Sequence, residues 1–331
     1  MQIENPYLMF LGDAADDLAA KVANGVAKWR PDWCKGQLRL DGCKADLGLR
    51  DMTLEEAQAA GCKTVIVGVA NRGGVIPQSW RATLEKALVM GFDVASGLHN
   101  KLTDIETLSS LAQEHGRKLY DVRHPTETFD VASGTKRPGL RLLTVGTDCS
   151  VGKMFTSLAV EKTMRERGMK ASFRATGHTG IFIAGGGVSV DAVIADFISG
   201  ATEKLCPANE PDHWDVVEGQ GSLFHASFAG VSLGLLHGAQ PDALVMCHEP
   251  TRTHMRGLPD FALPSLKDCI AVNEQMGRMV NPACRVIGVS VNTSGLPKDR
   301  QDDYLESVER EVGLPTVDAF RQGAGRLVDA L

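Results

Sequence analysis

The stretch Leu142-Leu143-Thr144-Val145-Gly146-Thr147-Asp148-Cys149-Ser150-Val151-Gly152-Lys153-Met154 reads as an apolar strand that enters a glycine-bounded loop ending in Gly-Lys, with an amphipathic helix expected over 155–167. Strand, loop and helix in that order make a phosphate cradle. Consecutive backbone N–H groups face a concavity, the helix brings the positive end of its dipole, and the lysine adds a mobile charge. The spacing from Gly146 to Gly152 is one residue longer than in the common GxxxxGK[ST] pattern. Met154 stands where a nucleotide hydrolase keeps the Ser or Thr hydroxyl that ligates Mg²⁺. A thioether is a poor ligand for so hard a cation. Gly146, Thr147, Asp148, Cys149, Ser150, Val151, Gly152, Lys153 and Met154 are therefore expected to hold a polyphosphate cofactor with no metal beside it.

Outward from this loop, the chain alternates strand-like and helix-like segments on both sides. Before it, apolar runs at 7–12, 37–40, 64–69, 93–95 and 118–122 are separated by helical patterns at 16–29, 53–60, 77–90 and 104–115. After it come strand-like runs at 170–174, 215–217, 243–247 and 285–291, with helices expected at about 188–204, 264–279 and 299–312. Such alternation implies α/β architecture with parallel sheets covered on both faces. The non-periodic stretch 124–139, rich in Pro, Gly, Ser and Thr, reads as a linker. It separates a Rossmann-like domain over 1–123 from a P-loop domain over 140–331. The first βα turn, Gly12-Asp13-Ala14-Ala15, lacks the GxGxxG dinucleotide fingerprint, which makes an NAD-dependent activity the weakest option.

A chain of 331 residues is long for one core and suits two domains. Its net charge of −6 offers no basic footprint for nucleic acid. No apolar run approaches a membrane span, and the N-terminus lacks a basic and hydrophobic leader, so a cytoplasmic protein is expected, acting on small molecules as a homo-oligomer. The eight cysteines form no CxxC pair, which argues for reduced core residues rather than a zinc site.

The loop Gly146–Lys153 resembles the GTDTxVGK loop of dethiobiotin synthetase and its relatives, extra residue included, and Val216-Val217-Glu218-Gly219-Gln220-Gly221 resembles their VEGAGG segment. The wording GTDCxVGKM, the segment Arg174-Ala175-Thr176-Gly177-His178-Thr179-Gly180 and the first domain together resemble a narrower group over nearly the whole chain. That group is the family of two-domain P-loop proteins that includes D-glutamate N-acetyltransferase. The resemblance implies acetyl transfer from acetyl-CoA, as co-substrate, to the amine of D-glutamate in amino-acid degradation. Acetyl-CoA carries a pyrophosphate yet needs no Mg²⁺ for acyl transfer, which suits a loop that keeps its lysine and lacks the metal hydroxyl; no metal is expected.

Amine acetylation requires a base, and two catalytic candidates stand out. Glu218 ends a strand at the carboxyl edge, where ligands of doubly wound sheets bind, and His178 is flanked by glycines. Glu218 has the alternative role of a hydrogen bond to the loop, and His178 that of a solvated loop residue. Cys149, among inward-facing amides, either forms an acetyl-enzyme through a lowered pKa or is a small filler. Planar guanidinium groups match the two carboxylates of the acceptor, which nominates Arg174, Arg252, Arg256 and Arg72 for substrate binding. Asn292 follows a strand where related P-loop proteins read the base, and is assigned to the cofactor's adenine. The alternative activity is a Mg²⁺-ATP-dependent ligase or kinase of dethiobiotin synthetase type, with Glu218 and Asp148 on the metal.

Overall fold

The computed structural model describes every residue except Met1 and Arg72, so the substrate nomination of Arg72 lies outside the described residues. The run Tyr7–Gly12 has no polar face to offer water, so it is stable only as a strand covered on both sides. It forms β1, buried along its whole length. Beside it lie β2 (Cys34–Arg39), β3 (Thr64–Val67), β4 (Asp93–Ser96) and β5 (Leu119–Asp121), all parallel, in the order β2-β1-β3-β4-β5. The connecting helices are α1 (Lys21–Trp29), α2 (Leu54–Ala59), α3 (Gln78–Val89) and α4 (Glu106–Glu114). Helix α2 starts where it does because the Thr53 hydroxyl accepts from the Glu56 N–H while the Glu56 carboxylate accepts from the Thr53 N–H. That reciprocal cap satisfies two amides that the helix itself cannot.

The second sheet begins with β6 (Leu140–Gly146), followed by α5 (Lys153–Glu166) and β7 (Ala171–Arg174). The chain then crosses back: α6 (His178–Ala184) lies in a segment, Gly177–Ala192, that clusters with residues up to Glu127. The second unit resumes with α7 (Ile198–Leu205), β8 (Trp214–Val217), α8 (Ala229–Ala239) and β9 (Ala243–His248). A hairpin of β10 (His254–Met255) and β11 (Leu258–Ala262) precedes α9 (Leu266–Arg278), β12 (Arg285–Val291), α10 (Gln301–Val312), β13 (Thr316–Val317) and α11 (Gly325–Val328). Strand order is β13-β12-β9-β6-β8-β7, every neighbour parallel. Strand β6 therefore sits inside the sheet, which delivers the loop at its end to the middle of the carboxyl edge.

Three expectations differ from what folds. The helix expected at 188–204 is broken. Ile3 N–H donates to Gly185 O at 2.7 Å and the Ser189 hydroxyl to Val122 O at 2.8 Å, which hold the chain on the first unit as far as Ala192, and α7 begins only at Ile198. The stretch 128–139, expected as linker, is bound to the second unit. Glu203 accepts from the Ser133 and Gly134 amides, and Arg137 donates to Cys206 O and Gly238 O. Helix α8, absent from the sequence reading, carries glycines where side chains would collide. A Cβ on Gly238 would lie 2.3 Å from Ser199 O, and one on Gly234 2.7 Å from Ile198. The glycines that weaken its helical signal are what let it lie against α7.

Candidate active site at the loop after strand β6

Strand β6 ends at Gly146, and the loop turns into α5 through Ser150, at φ 54°, and Gly152, at φ 101°. Alternation of right- and left-handed backbone of this kind turns successive amides toward one centre. Among the described residues, the N–H groups of Ser150, Val151 and Gly152 have no protein acceptor, while the Thr147 amide is tied to Cys247 O at 3.0 Å. The loop is anchored at its start by the Thr147 hydroxyl, 3.1 Å from His248 Nδ1, with His248 Nε2 3.1 Å from the Tyr304 hydroxyl. Lys153 is buried and its ammonium donates to Asp148 O at 2.7 Å, inside the loop; burial pushes its pKa down.

Glu218, at the end of β8, is 4 % exposed. Its Oε2 accepts from the Thr176 N–H at 2.9 Å, and its own carbonyl accepts from the Thr176 hydroxyl at 2.6 Å. The next residue must be glycine: a Cβ on Gly219 would fall 1.7 Å from Thr144 O and 3.0 Å from the Lys153 side chain. This close approach keeps the Glu218 segment against the lysine, and Gly219 N–H donates to the Thr144 hydroxyl at 2.9 Å.

The nominated arginines have other partners. Arg174 Nε donates to the buried Asp215 carboxylate at 2.7 Å. Arg252 donates to Asp148 Oδ2 at 2.5 Å, Cys149 O at 2.6 Å and Ser150 O at 3.0 Å, and Arg256 reaches Ser150 Oγ. Arg252 and Arg256 thus lie on the loop after β6, and Arg174 on the buried carboxylate of β8. The signal was the same in every case, a guanidinium at the carboxyl edge, and only the fold could say what faced it.

Two further candidates change character. His178 lies in the first unit, and its Nδ1 is 3.2 Å from an Arg123 guanidinium nitrogen. Arginine only donates, so Nδ1 accepts and the ring carries its proton on Nε2. Burial, then the Arg123 charge, push its pKa down to about 4. At neutral pH His178 is a neutral donor with its lone pair occupied, which is a poor general base. The Cys149 thiol is pushed up, since burial outweighs the Lys153 and arginine charges, so the lowered pKa expected for a nucleophile is not realised.

Beyond α5, a pocket of about 200 Å³ is lined by Phe155, Thr156, Ser290, Asn292 and Phe320 among others. Phe155 and Phe320 meet edge to face at 5.8 Å. The Thr156 hydroxyl pairs with Ser290 at 2.8 Å and is not offered to the loop. Asp318 shapes the wall: it accepts from the Thr293 amide and hydroxyl and from the Phe320 and Arg321 amides. Asn292, on the wall of this pocket, accepts from the Ser294 amide through its Oδ1. Phe155, Phe320 and Ser290 were not singled out from sequence, because each is an ordinary core-type residue until the sheet edge brings them together.

The family model for a domain of unknown function, the DUF1611 Rossmann-like domain, matches residues 38–125, and that for the DUF1611 P-loop domain matches residues 130–328. Two curated relatives, from Tritonibacter scottomollicae and a Pseudoalteromonas species, are 58 % and 50 % identical, cover 99 % of this chain and of their own length, and are named D-glutamate N-acetyltransferase. A crystal structure of a DUF1611 family protein from Anabaena variabilis ATCC 29413 superposes with a TM-score of 0.85 at 31 % identity, covering 98 % of this chain and 99 % of that one. The chain belongs to the two-domain DUF1611 family, a Rossmann-like domain followed by a P-loop domain.

Proposed function

We propose that this protein is an N-acetyltransferase that moves the acetyl group of acetyl-CoA to the amine of D-glutamate, releasing CoA, as a cytoplasmic homo-oligomer in amino-acid degradation. The observation that carries the reading is the full-length identity of 58 % and 50 % to relatives bearing that enzyme name. The loop chemistry supports it. Met154 removes the metal hydroxyl while Lys153 and the open amides remain, which suits a CoA pyrophosphate better than a metal-bound triphosphate. The pocket beside Asn292 and Phe320 is the place for the adenine.

The amine nitrogen attacks the thioester carbonyl carbon and its proton passes to a base. The tetrahedral intermediate then expels the CoA thiolate, which takes a proton and leaves as the thiol. Glu218 is assigned as the base, because it is a buried carboxylate at the carboxyl edge of the sheet, next to the Gly219 turn that packs against Thr144 and Lys153. Among the described residues no helix is long and apolar enough to cross a bilayer. Mixing the protein with acetyl-CoA and D-glutamate in EDTA should release thiol stoichiometric with N-acetyl-D-glutamate. No thiol release across a panel of amino acids would overturn the assignment, and turnover that requires Mg²⁺ and ATP would establish the ligase alternative.

A further inference from the structure

We infer that Arg256, beside a loop that Arg252 holds in place, supplies the positive charge that a divalent cation supplies in metal-dependent phosphate loops, so that the site takes a diphosphate without Mg²⁺. This rests on the function proposed above only for the identity of the diphosphate as CoA.

The two carboxylates nearest the loop that could ligate a metal carry protein hydrogen bonds, and Glu218 Oε2 accepts from the Thr176 amide at 2.9 Å. Asp148 is wholly buried; its Oδ1 accepts from the Cys149 amide at 2.6 Å, and its Oδ2 from Arg252 Nη1 at 2.5 Å and the Arg256 amide at 2.9 Å. Met154 has no hydroxyl and the Thr156 hydroxyl is paired with Ser290. Mg²⁺ asks for a near-octahedral set of oxygens, and a dication next to a guanidinium is repelled. Asp148, Cys149 and His225 bring possible ligand atoms within 4.8 Å of one another, but a cysteine sulfur is a poor ligand for Mg²⁺, and His225 has Nε2 3.0 Å from Arg256 O and Nδ1 accepting from the Ser227 amide.

The two arginines divide the work. Arg252 is the positioning residue: it takes the Cys149 and Ser150 carbonyls to one side, at 2.6 and 3.0 Å, which leaves the amides of the same peptides facing the other way. Glu249 steadies it, accepting from Arg252 Nε at 3.2 Å. Arg256 is exposed and touches the loop through Ser150 Oγ, and among the described residues its Nε and Nη2 have no protein partner. Those donors at the loop's tip are a planar fork for phosphate oxygens.

Calorimetric titration of the full chain with CoA, in EDTA and in Mg²⁺, and with inorganic pyrophosphate in EDTA, tests this for the wild type, Arg256→Gln and Arg256→Lys. The wild type should bind CoA equally in both buffers. Arg256→Gln should weaken both probes about tenfold and flatten the salt dependence, with most of the loss restored in Arg256→Lys. Wild-type affinity in Arg256→Gln for both probes, or CoA binding that needs Mg²⁺, overturns the inference while leaving CoA as donor intact. Arg256-dependent pyrophosphate binding with no CoA binding upholds the arginine charge and removes the CoA reading. Failure of the wild type to bind either probe overturns both.

Discussion

Two turns lead from buried strands to helices at sheet edges, one after β1 and one after β6, and they hold opposite contents. After β1, Gly12 has φ 52° and a Cβ there would lie 2.5 Å from the Trp80 indole, whose Nε1 donates to Asp13 at 2.8 Å. The space above that strand is filled by the protein's own side chain, and α1 does not start until Lys21. After β6, the loop runs directly into α5 at Lys153 and leaves amides without protein acceptors. A parallel sheet edge is thus only a place for a phosphate site. Whether it becomes one depends on the length of the turn and on what occupies it.

The sharpest way to break that contrast is to add one methyl group at each turn's glycine support. Gly219→Ala, whose Cβ would overlap Thr144 O, should destabilise the second unit by more than about 3 kcal/mol and abolish CoA binding. Gly12→Ala, forced against Trp80 at a positive φ, should cost about 2 kcal/mol yet leave CoA affinity unchanged. Urea unfolding paired with CoA titration reads both; loss of CoA binding in a folded Gly12→Ala protein would show that the first turn is a site after all.

Next in size, Lys153→Ala should weaken CoA binding by about 10- to 100-fold, the loss of a charged hydrogen bond of about 1.5–3 kcal/mol, with little change in unfolding midpoint. Equilibrium titration checks it, and unchanged affinity would place the diphosphate elsewhere. Trp80→Phe deletes the donor to Asp13 and should cost about 1 kcal/mol in urea unfolding with full activity retained. The smallest effect is expected from Cys149→Ala: thiol release within about twofold of wild type, since burial holds the thiol protonated. A trapped acetyl-cysteine detected by mass spectrometry would contradict this.

Legibility followed how local each signal was. Strands β1 and β12 end where their apolar runs end, at Gly12 and Val291, because uninterrupted hydrophobic residues leave no alternative conformation. Helix α8 escaped notice because Gly234 and Gly238 carry a packing requirement that looks locally like a helix breaker. At the site, the loop itself was readable from Gly146 to Met154. The partners of Arg174, Arg252 and His178 were not: Asp215, Asp148 and Arg123 lie 41, 104 and 55 residues away.

From residue order alone came the alternation of strands and helices, the glycine loop with its lysine, and the missing hydroxyl at Met154. These rest on short-range sterics and hydrogen-bonding capacity, which neighbouring residues settle among themselves. Folding alone determined that Gly177–Ala192 joins the first unit, that two arginines close on the loop, and that His178 is a neutral donor. Charge pairing and desolvation depend on what surrounds a group in space, and those surroundings are assembled from segments that the linear chain keeps far apart.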